Sequence, residues 1–465
     1  MQGILKTTAC VCQVAGSYRN EGWLMAARAC LLSLFLLMPQ ASPQAVSAIN
    51  PAPAPGQMMI PPPLQINGYP REVGAEIRSN YLSGGMAFST SYIDNFYAGS
   101  GTQPVSETTY SILPTITWDQ TTPRRHVTLQ YTPGFSFYQP SSQLNEIDQN
   151  GAVAYMVRPS PHSTVSISDN FAYSSTSFGA GVAGIGEPVS GSIDTVTPAL
   201  LAPFAQRLTN DANGEFTLQT SEITMIGVSG NASTLRYPDI PETAGLYDSS
   251  SRGGAGFYSA RIFGSQYLGG IYEFSQILSY LSSGEGETQI HTFAGLYTVY
   301  PMENLSLSFV SGAQHYWLTE PSMPDSASWG PTVSASAGWQ ALHTSFAASY
   351  SHGVTAGGGL LGAYHSNSGD AALRWQMSRS VVAGMSAAYT IQKNVNGRAA
   401  PGSEDGHAIS GTANVSYRIG PRVALEFGYD RIHQSYDAIP ATSINPDSNR
   451  VTAAISWRFT RPLGR

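Results

Sequence analysis

From about residue 84 to its end, the chain alternates apolar and polar positions with a period of two, the repeat of a half-buried β-strand. In "VTLQYTPGFSFY", Val127, Leu129, Tyr131, Phe135 and Phe137 share one face, and Thr128, Gln130, Thr132, Gly134 and Ser136 the other. "VVAGMSAAYTIQ" sets Val381, Ala383, Met385, Ala387, Tyr389 and Ile391 against Val382, Gly384, Ser386, Ala388, Thr390 and Gln392. The pattern predicts strands near 84–97, 107–119, 124–138, 147–158, 162–176, 208–219, 222–235, 254–264 and 266–280. Nine more are predicted near 287–299, 304–317, 328–341, 343–354, 366–378, 381–393, 406–419, 421–434 and 447–460. That makes about eighteen, with sixteen as the alternative.

Tight connectors such as "QTTPR" (120–124), "TSE" (220–222), "FGSQ" (263–266) and "IGPR" (419–422) alternate with longer polar stretches. The long ones are 178–207, 236–253, 318–328, 353–365, 393–406 and 434–448. Short turns at one end and long loops at the other is the asymmetry of outer-membrane barrels, which take an even number of strands. In the longest loop, Thr197 and Pro198 suit a helix start, and Leu200, Leu201, Phe204 and Leu208 follow on one side. That loop either folds into a lumen or shields the rim.

Composition sharpens the picture. Charged residues make up 11% of the chain, against roughly 25% in an ordinary soluble domain. Lysine occurs only at Lys6 and Lys393, so little conventional wet surface is available. Residues 25–48 supply basic Arg28, the apolar run CLLSLFLLM and the small residues Val46-Ser47-Ala48. These are the three parts of a secretory signal, with cleavage expected at Ala48 and a true start possible at Met25. The three cysteines, Cys10, Cys12 and Cys30, all lie in this 1–48 region, so the exported chain would carry none into an oxidising compartment. Residues 49–83, opening "INPAPAPGQMMIPPPL", read as a proline-rich periplasmic tether. Without Lys6, Arg19, Arg28 and Glu21 the chain keeps 20 basic and 29 acidic residues, a net of −9. Nucleic acid is not a partner for such a charge.

A soluble β-sandwich would show the same alternation. Its strands, however, average about 5–6 residues, whereas a tilted strand crossing a bilayer needs about 9–11. Aromatics gather near the ends of the apolar rows, as at Trp457, Phe459, Phe427, Tyr429, Tyr417 and Tyr300, which suits the headgroup girdles of a barrel. The opposite rows suit a watered lumen. In lipid every backbone group must pair within the protein, so the sheet must close. The expected fold is all-β, a single antiparallel transmembrane barrel over 84–465.

On this pattern the chain resembles the porin-like outer-membrane β-barrel proteins of Gram-negative bacteria. One local motif adds to the resemblance: the final strand, with Val451, Ile455, Trp457 and Phe459, is similar to the insertion signal read by the barrel-assembly machinery. It departs from that signal in the tail "TRPLGR" (460–465). The resemblance implies outer-membrane lipid and the assembly machinery as partners.

For chemistry, Arg374, Arg418, Glu426, Asp430 and Arg458 run in phase with the polar rows. An arginine facing lipid at the midplane costs about 2–4 kcal/mol, so these side chains should point inward. They form either a constriction that sorts solutes by charge and size or cross-strand ion pairs that brace the wall. The nine histidines, at 126, 162, 291, 315, 343, 352, 365, 407 and 433, look scattered singly. No HExxH, His/Cys cluster, G-x-S-x-G or phosphate loop occurs, so neither a metal, a cofactor nor enzymatic activity is expected. The leading expectation is a water-filled pore for small hydrophilic solutes or saccharides. The barrel component of exopolysaccharide export and a structural or adhesive barrel without channel activity are the alternatives.

Overall fold

A computed structural model describes residues 79–96, 104–174, 206–238, 247–281, 284–302, 304–320, 323–356, 363–395, 405–436 and 447–463. The signal region with Ala48, residues 49–78 of the tether and residues 178–205 of the longest loop lie outside them.

The first six strands are β1 (Ser79–Ile93), β2 (Glu107–Thr122), β3 (Arg125–Gln139), β4 (Glu146–Ser160), β5 (Ser163–Ser174) and β6 (Arg207–Gln219). The next six are β7 (Thr224–Arg236), β8 (Asp248–Phe263), β9 (Gln266–Leu281), β10 (Gly284–Met302), β11 (Leu305–Glu320) and β12 (Met323–Gln340). The last six are β13 (Thr344–Ala356), β14 (Ala363–Gln376), β15 (Val381–Asn394), β16 (Gly406–Arg418), β17 (Val423–Tyr436) and β18 (Asp447–Pro462). Each pairs antiparallel with the next, and β1 pairs with both β2 and β18, so the sheet closes on itself. The fold is an all-β, closed antiparallel 18-strand barrel. Closure leaves no strand edge, which is what hydrocarbon demands.

The greasy row faces out. Phe88, Ile116, Phe137, Val228, Phe293, Phe427, Val451 and Ile455 are among many large apolar side chains that stay exposed on the finished barrel. In water such a surface would aggregate; in a bilayer it is the solvated one, and the barrel is an outer-membrane protein.

The short turns are built by hydroxyl side chains. Ser378 Oγ accepts from the N–H of Val381 at 3.1 Å, Thr122 Oγ1 from Arg125 at 3.0 Å and Ser221 Oγ from Thr224 at 3.1 Å. Between β8 and β9 the turn instead uses Gly264 at φ +49°, a conformation that costs glycine nothing. In outer-membrane barrels the short-turn end is periplasmic and the long-loop end extracellular.

Strands run 12 residues in β5 to 19 in β10, longer than the span requires. The ladder therefore overruns the membrane, and there the sequence reading falls short. Most of the expected loop 318–328 is strand, because β11 reaches Glu320 and β12 starts at Met323. The expected loop 353–365 shrinks likewise between Ala356 and Ala363, and β1 starts at Ser79, five residues ahead of the expected barrel boundary at 84. Beyond the bilayer both faces of a strand meet water, so the apolar half of the alternation disappears while the hydrogen bonds continue.

Tyr300 is a second correction. On β10 Phe293 faces lipid, which places Tyr300 on the opposite, inner face, where it packs edge-on to Tyr267 with ring centroids 5.9 Å apart. It is not girdle material.

The seam is latched at both ends. Asp94 holds Asn449 through two hydrogen bonds, of 2.8 Å from its backbone N–H and 2.7 Å from its Nδ2. At the periplasmic end the Leu463 N–H reaches the Asn80 carbonyl at 2.9 Å. Residues 460–462 of the tail thus extend β18.

Candidate functional site

The inner wall is mainly hydroxyl and amide. Ser111 pairs with Ser136 (3.1 Å), Thr298 with Ser308 (3.0 Å) and Ser351 with Ser368 (2.6 Å), each across neighbouring strands. One sector departs from this. Met225, Phe257, Tyr267, Ile271, Leu296 and Val310, from β7 to β11, form a buried apolar cluster on the inner face. The Phe257 ring lies over Gly227, where a Cβ would stand 2.2 Å from it. Only glycine leaves room for that ring against the wall.

Arg374, Arg418, Glu426, Asp430 and Arg458 each sit between lipid-exposed neighbours. Leu373 and Trp375 flank the first, Tyr417 and Ile419 the second, and Trp457 and Phe459 the last; Phe427 and Tyr429 are exposed beside Glu426 and Asp430. The five therefore take the lumen face. They occupy two levels. Arg374, Arg418 and Arg458 lie within four residues of the periplasmic ends of β14, β16 and β18, and Arg374 and Arg418 are close enough to repel. Asp430 stands at mid-strand and is bound to Arg450, whose Nε and guanidinium NH2 both lie 2.9 Å from its Oδ2. That pair is 8% and 15% exposed, so it braces the wall.

The short-turn mouth carries a set that sequence reasoning found only in part. On eight of the nine descending strands, one backbone N–H bonds to the turn before the neighbouring ascending strand. The residues are Arg158, Gln219, Arg261, Tyr300, Gln340, Gln376, Arg418 and Arg458, with N–H···O distances of 2.7–3.1 Å. Equivalent places in an antiparallel ladder point the same way, so these eight side chains ring the inside of the mouth. Four are arginine and none is acidic. Arg261 stands beside the inward Tyr267 hydroxyl, as that direction requires. Arg158 and Arg261 were missed, although each falls one to three residues before a short turn and on the inner phase, the signal that marked Arg418.

At the other mouth one hairpin, among the described residues, leans inward. β13 pairs with β12 only from Gln340↔Ser345 up to Val333↔His352, yet stays paired with β14 as far as Ala356↔Ala363. Above His352 the β13–β14 hairpin has left the wall and leans inward, so that β13 touches β11 across β12. Val354 and Ala363 pack on Ile277, Ile290, Tyr316 and Leu318 from the inner face of β9–β11. Burial of this apolar face, together with polar clamps at Gln314 and Thr332, holds the hairpin down. The sequence reading placed its candidate inward loop at 178–207; the described hairpin is a different element.

Near the periplasmic end His126 Nε2 lies 2.9 Å from Asp119 Oδ2 and 3.3 Å from Thr128 Oγ1. Hydroxyl, imidazole and carboxylate come together, but one ring nitrogen serves both partners. A nucleophilic relay needs the two nitrogens to do different work, so this group is a hydrogen-bonded brace.

No protein-family model matches the chain, and no curated protein matches it. Its fold is similar to solved outer-membrane channels. Pseudomonas aeruginosa OccK2 (OpdF) in complex with glucuronate is 12% identical, with 82% of this chain and 98% of that one covered and a TM-score of 0.39. Pseudomonas aeruginosa OpdK with vanillate is 10% identical over 82% and 99%, TM-score 0.39. Acinetobacter baumannii OccAB4 is 9% identical over 82% and 98%, TM-score 0.41. Its own closed ladder and exposed apolar belt make the chain an 18-strand outer-membrane β-barrel.

Proposed function

We propose that the protein is a water-filled pore through which small hydrophilic solutes, sugars among them, cross the outer membrane passively, with anions preferred. The observation that carries this reading is the wall itself. A closed barrel of about eighteen strands is wide enough for an aqueous channel, and its inner face is hydroxyl, amide and charge. Arg158, Arg261, Arg374, Arg418 and Arg458 set a positive field at the periplasmic mouth, and inward Asp119, Glu215 and Glu426 temper it. Such a field raises the local concentration of anions and lowers that of cations. The Asp430–Arg450 pair is neutral as a unit and shapes the lumen instead of selecting charge.

The inward β13–β14 hairpin favours small solutes over a polymer chain, since a wall element occupies part of the extracellular mouth. This weighs against polysaccharide export. Planar-bilayer recording tests the proposal. Steady single-channel steps with a reversal potential on the anion side support it, and Arg418→Ala and Glu426→Ala should shift that potential in opposite directions. Silence from correctly folded barrels would instead favour the structural or adhesive reading. Unchanged selectivity in both variants would remove these residues from the constriction.

A further inference from the structure

Six of the nine histidines, which look isolated in the sequence, come together as three cross-strand pairs near the extracellular ends of strands. His291 stands opposite His315 on β10 and β11. His352 and His365 are diagonal neighbours on β13 and β14, as are His407 and His433 on β16 and β17. In the third pair the ring nitrogens face each other: His407 Nε2 lies 3.3 Å from His433 Nε2, with ring centroids 5.3 Å apart.

That spacing has a chemical meaning. Two imidazole nitrogens bound to one tetrahedral ion, each at about 2.0–2.1 Å, stand about 3.3–3.4 Å apart. The second nitrogen of His433 is already committed, since its Nδ1 lies 3.3 Å from Asp447 Oδ1. Asp447 is itself held by Arg431 at 3.0 Å. A carboxylate on Nδ1 fixes the tautomer that leaves the Nε2 lone pair free, the usual outer support of a metal-binding histidine. The phase of Ile409, Phe427 and Tyr429, all exposed to lipid, puts both rings on the outer face of the barrel. His433 is about one-third exposed, so water can complete a coordination sphere.

We propose that His407 and His433 form a two-imidazole site for a divalent transition-metal ion, Cu²⁺ or Zn²⁺, on the outer face of the β16–β17 hairpin. Imidazole suits both ions, and Cu²⁺ binds the tighter of the two to a given nitrogen site. Among the described residues no three His, Cys, Asp or Glu side chains are placed to hold one ion together, so the protein contributes two ligands and water the rest. A bound ion bridges two adjacent strands just below their loops. Being outside the lumen, the site does not depend on what the pore conducts.

The test uses the full folded barrel in detergent, stripped with EDTA and titrated with Cu²⁺, then Zn²⁺. Calorimetry should give one equivalent, and the Cu²⁺ paramagnetic resonance spectrum should show two coordinated nitrogens. His407→Ala and His433→Ala should each weaken binding at least tenfold, Asp447→Asn should weaken it without abolishing it, and His291→Ala should leave it unchanged. Folding of each variant is checked by gel mobility before and after boiling; His407→Gln and His433→Gln, closer in shape, replace any alanine variant that fails. Absence of stoichiometric Cu²⁺ binding, or binding that survives both glutamine variants, overturns the proposal. The 3.3 Å contact would then be a hydrogen bond between two rings.

Discussion

The backbone N–H of Val354 on β13 donates to Gln314 Oε1 on β11 at 2.8 Å, passing over the strand that separates them in the wall. Gln314 in turn donates to Thr292 Oγ1 on β10 at 3.1 Å. One buried amide therefore ties the leaning hairpin to two strands of the barrel. Replacing Gln314 with Leu leaves the Val354 N–H without its partner, a loss of about 1–3 kcal/mol at a buried site. Such a loss should let the hairpin swing back toward the rim. Single-channel recordings of Gln314→Leu should show larger and noisier steps than wild type. Identical conductance would mean that the hairpin does not narrow the pore.

The arginine collar should set selectivity by addition. An arginine about 8 Å from a passing anion in water contributes about 0.5 kcal/mol, a factor of about two. Removing Arg158, Arg261, Arg418 and Arg458 one after another should lower the anion-to-cation permeability ratio stepwise. The steps should shrink in molar salt, where screening reaches only about 3 Å. Reversal potentials at two salt concentrations measure both effects.

Asp430 and Arg450 are mutually dependent. Arg450→Met leaves a nearly buried carboxylate alone and should cost about 3 kcal/mol. Adding Asp430→Leu to that variant should restore much of the loss, because the pair is then replaced by apolar groups. Urea unfolding of the two variants in lipid vesicles gives the comparison, and equal destabilisation would deny the coupling.

Ile116 lies midway along β2 and is half exposed on the outer face. Ile116→Arg should destabilise the folded barrel by about 2–4 kcal/mol if that face meets hydrocarbon. Insertion into vesicles should fall in parallel. A neutral outcome would contradict the lipid assignment of the outer row.

Much of this was readable from the chain. The alternation located all eighteen strands, because one face in lipid and one in water imposes a strict two-residue period. It failed where that contrast fails. Ser326 sits on β12 ahead of the expected strand start at 328, and its polar neighbours looked like loop. Tyr300 was misplaced because a tyrosine near a strand end fits either a girdle or a dry inner patch, and only the phase set by Phe293 decides. Phase alone says which way a charge on a strand should point. That Asp430 meets Arg450 depends on which strands lie side by side, as does every histidine pair.

The wall is joined by residues far apart in the chain: Ser83 and Thr460, hydrogen-bonded across the seam, are 377 positions from each other. Every other neighbouring pair can form as a hairpin, but the β1–β18 pair must wait for the whole chain. Until the two meet, an unfinished barrel offers two raw borders to whatever sheet is nearby. A variant lacking β18 should consequently be captured by folding helpers or proteases in the periplasm, which would keep incomplete, leaky cylinders out of the membrane.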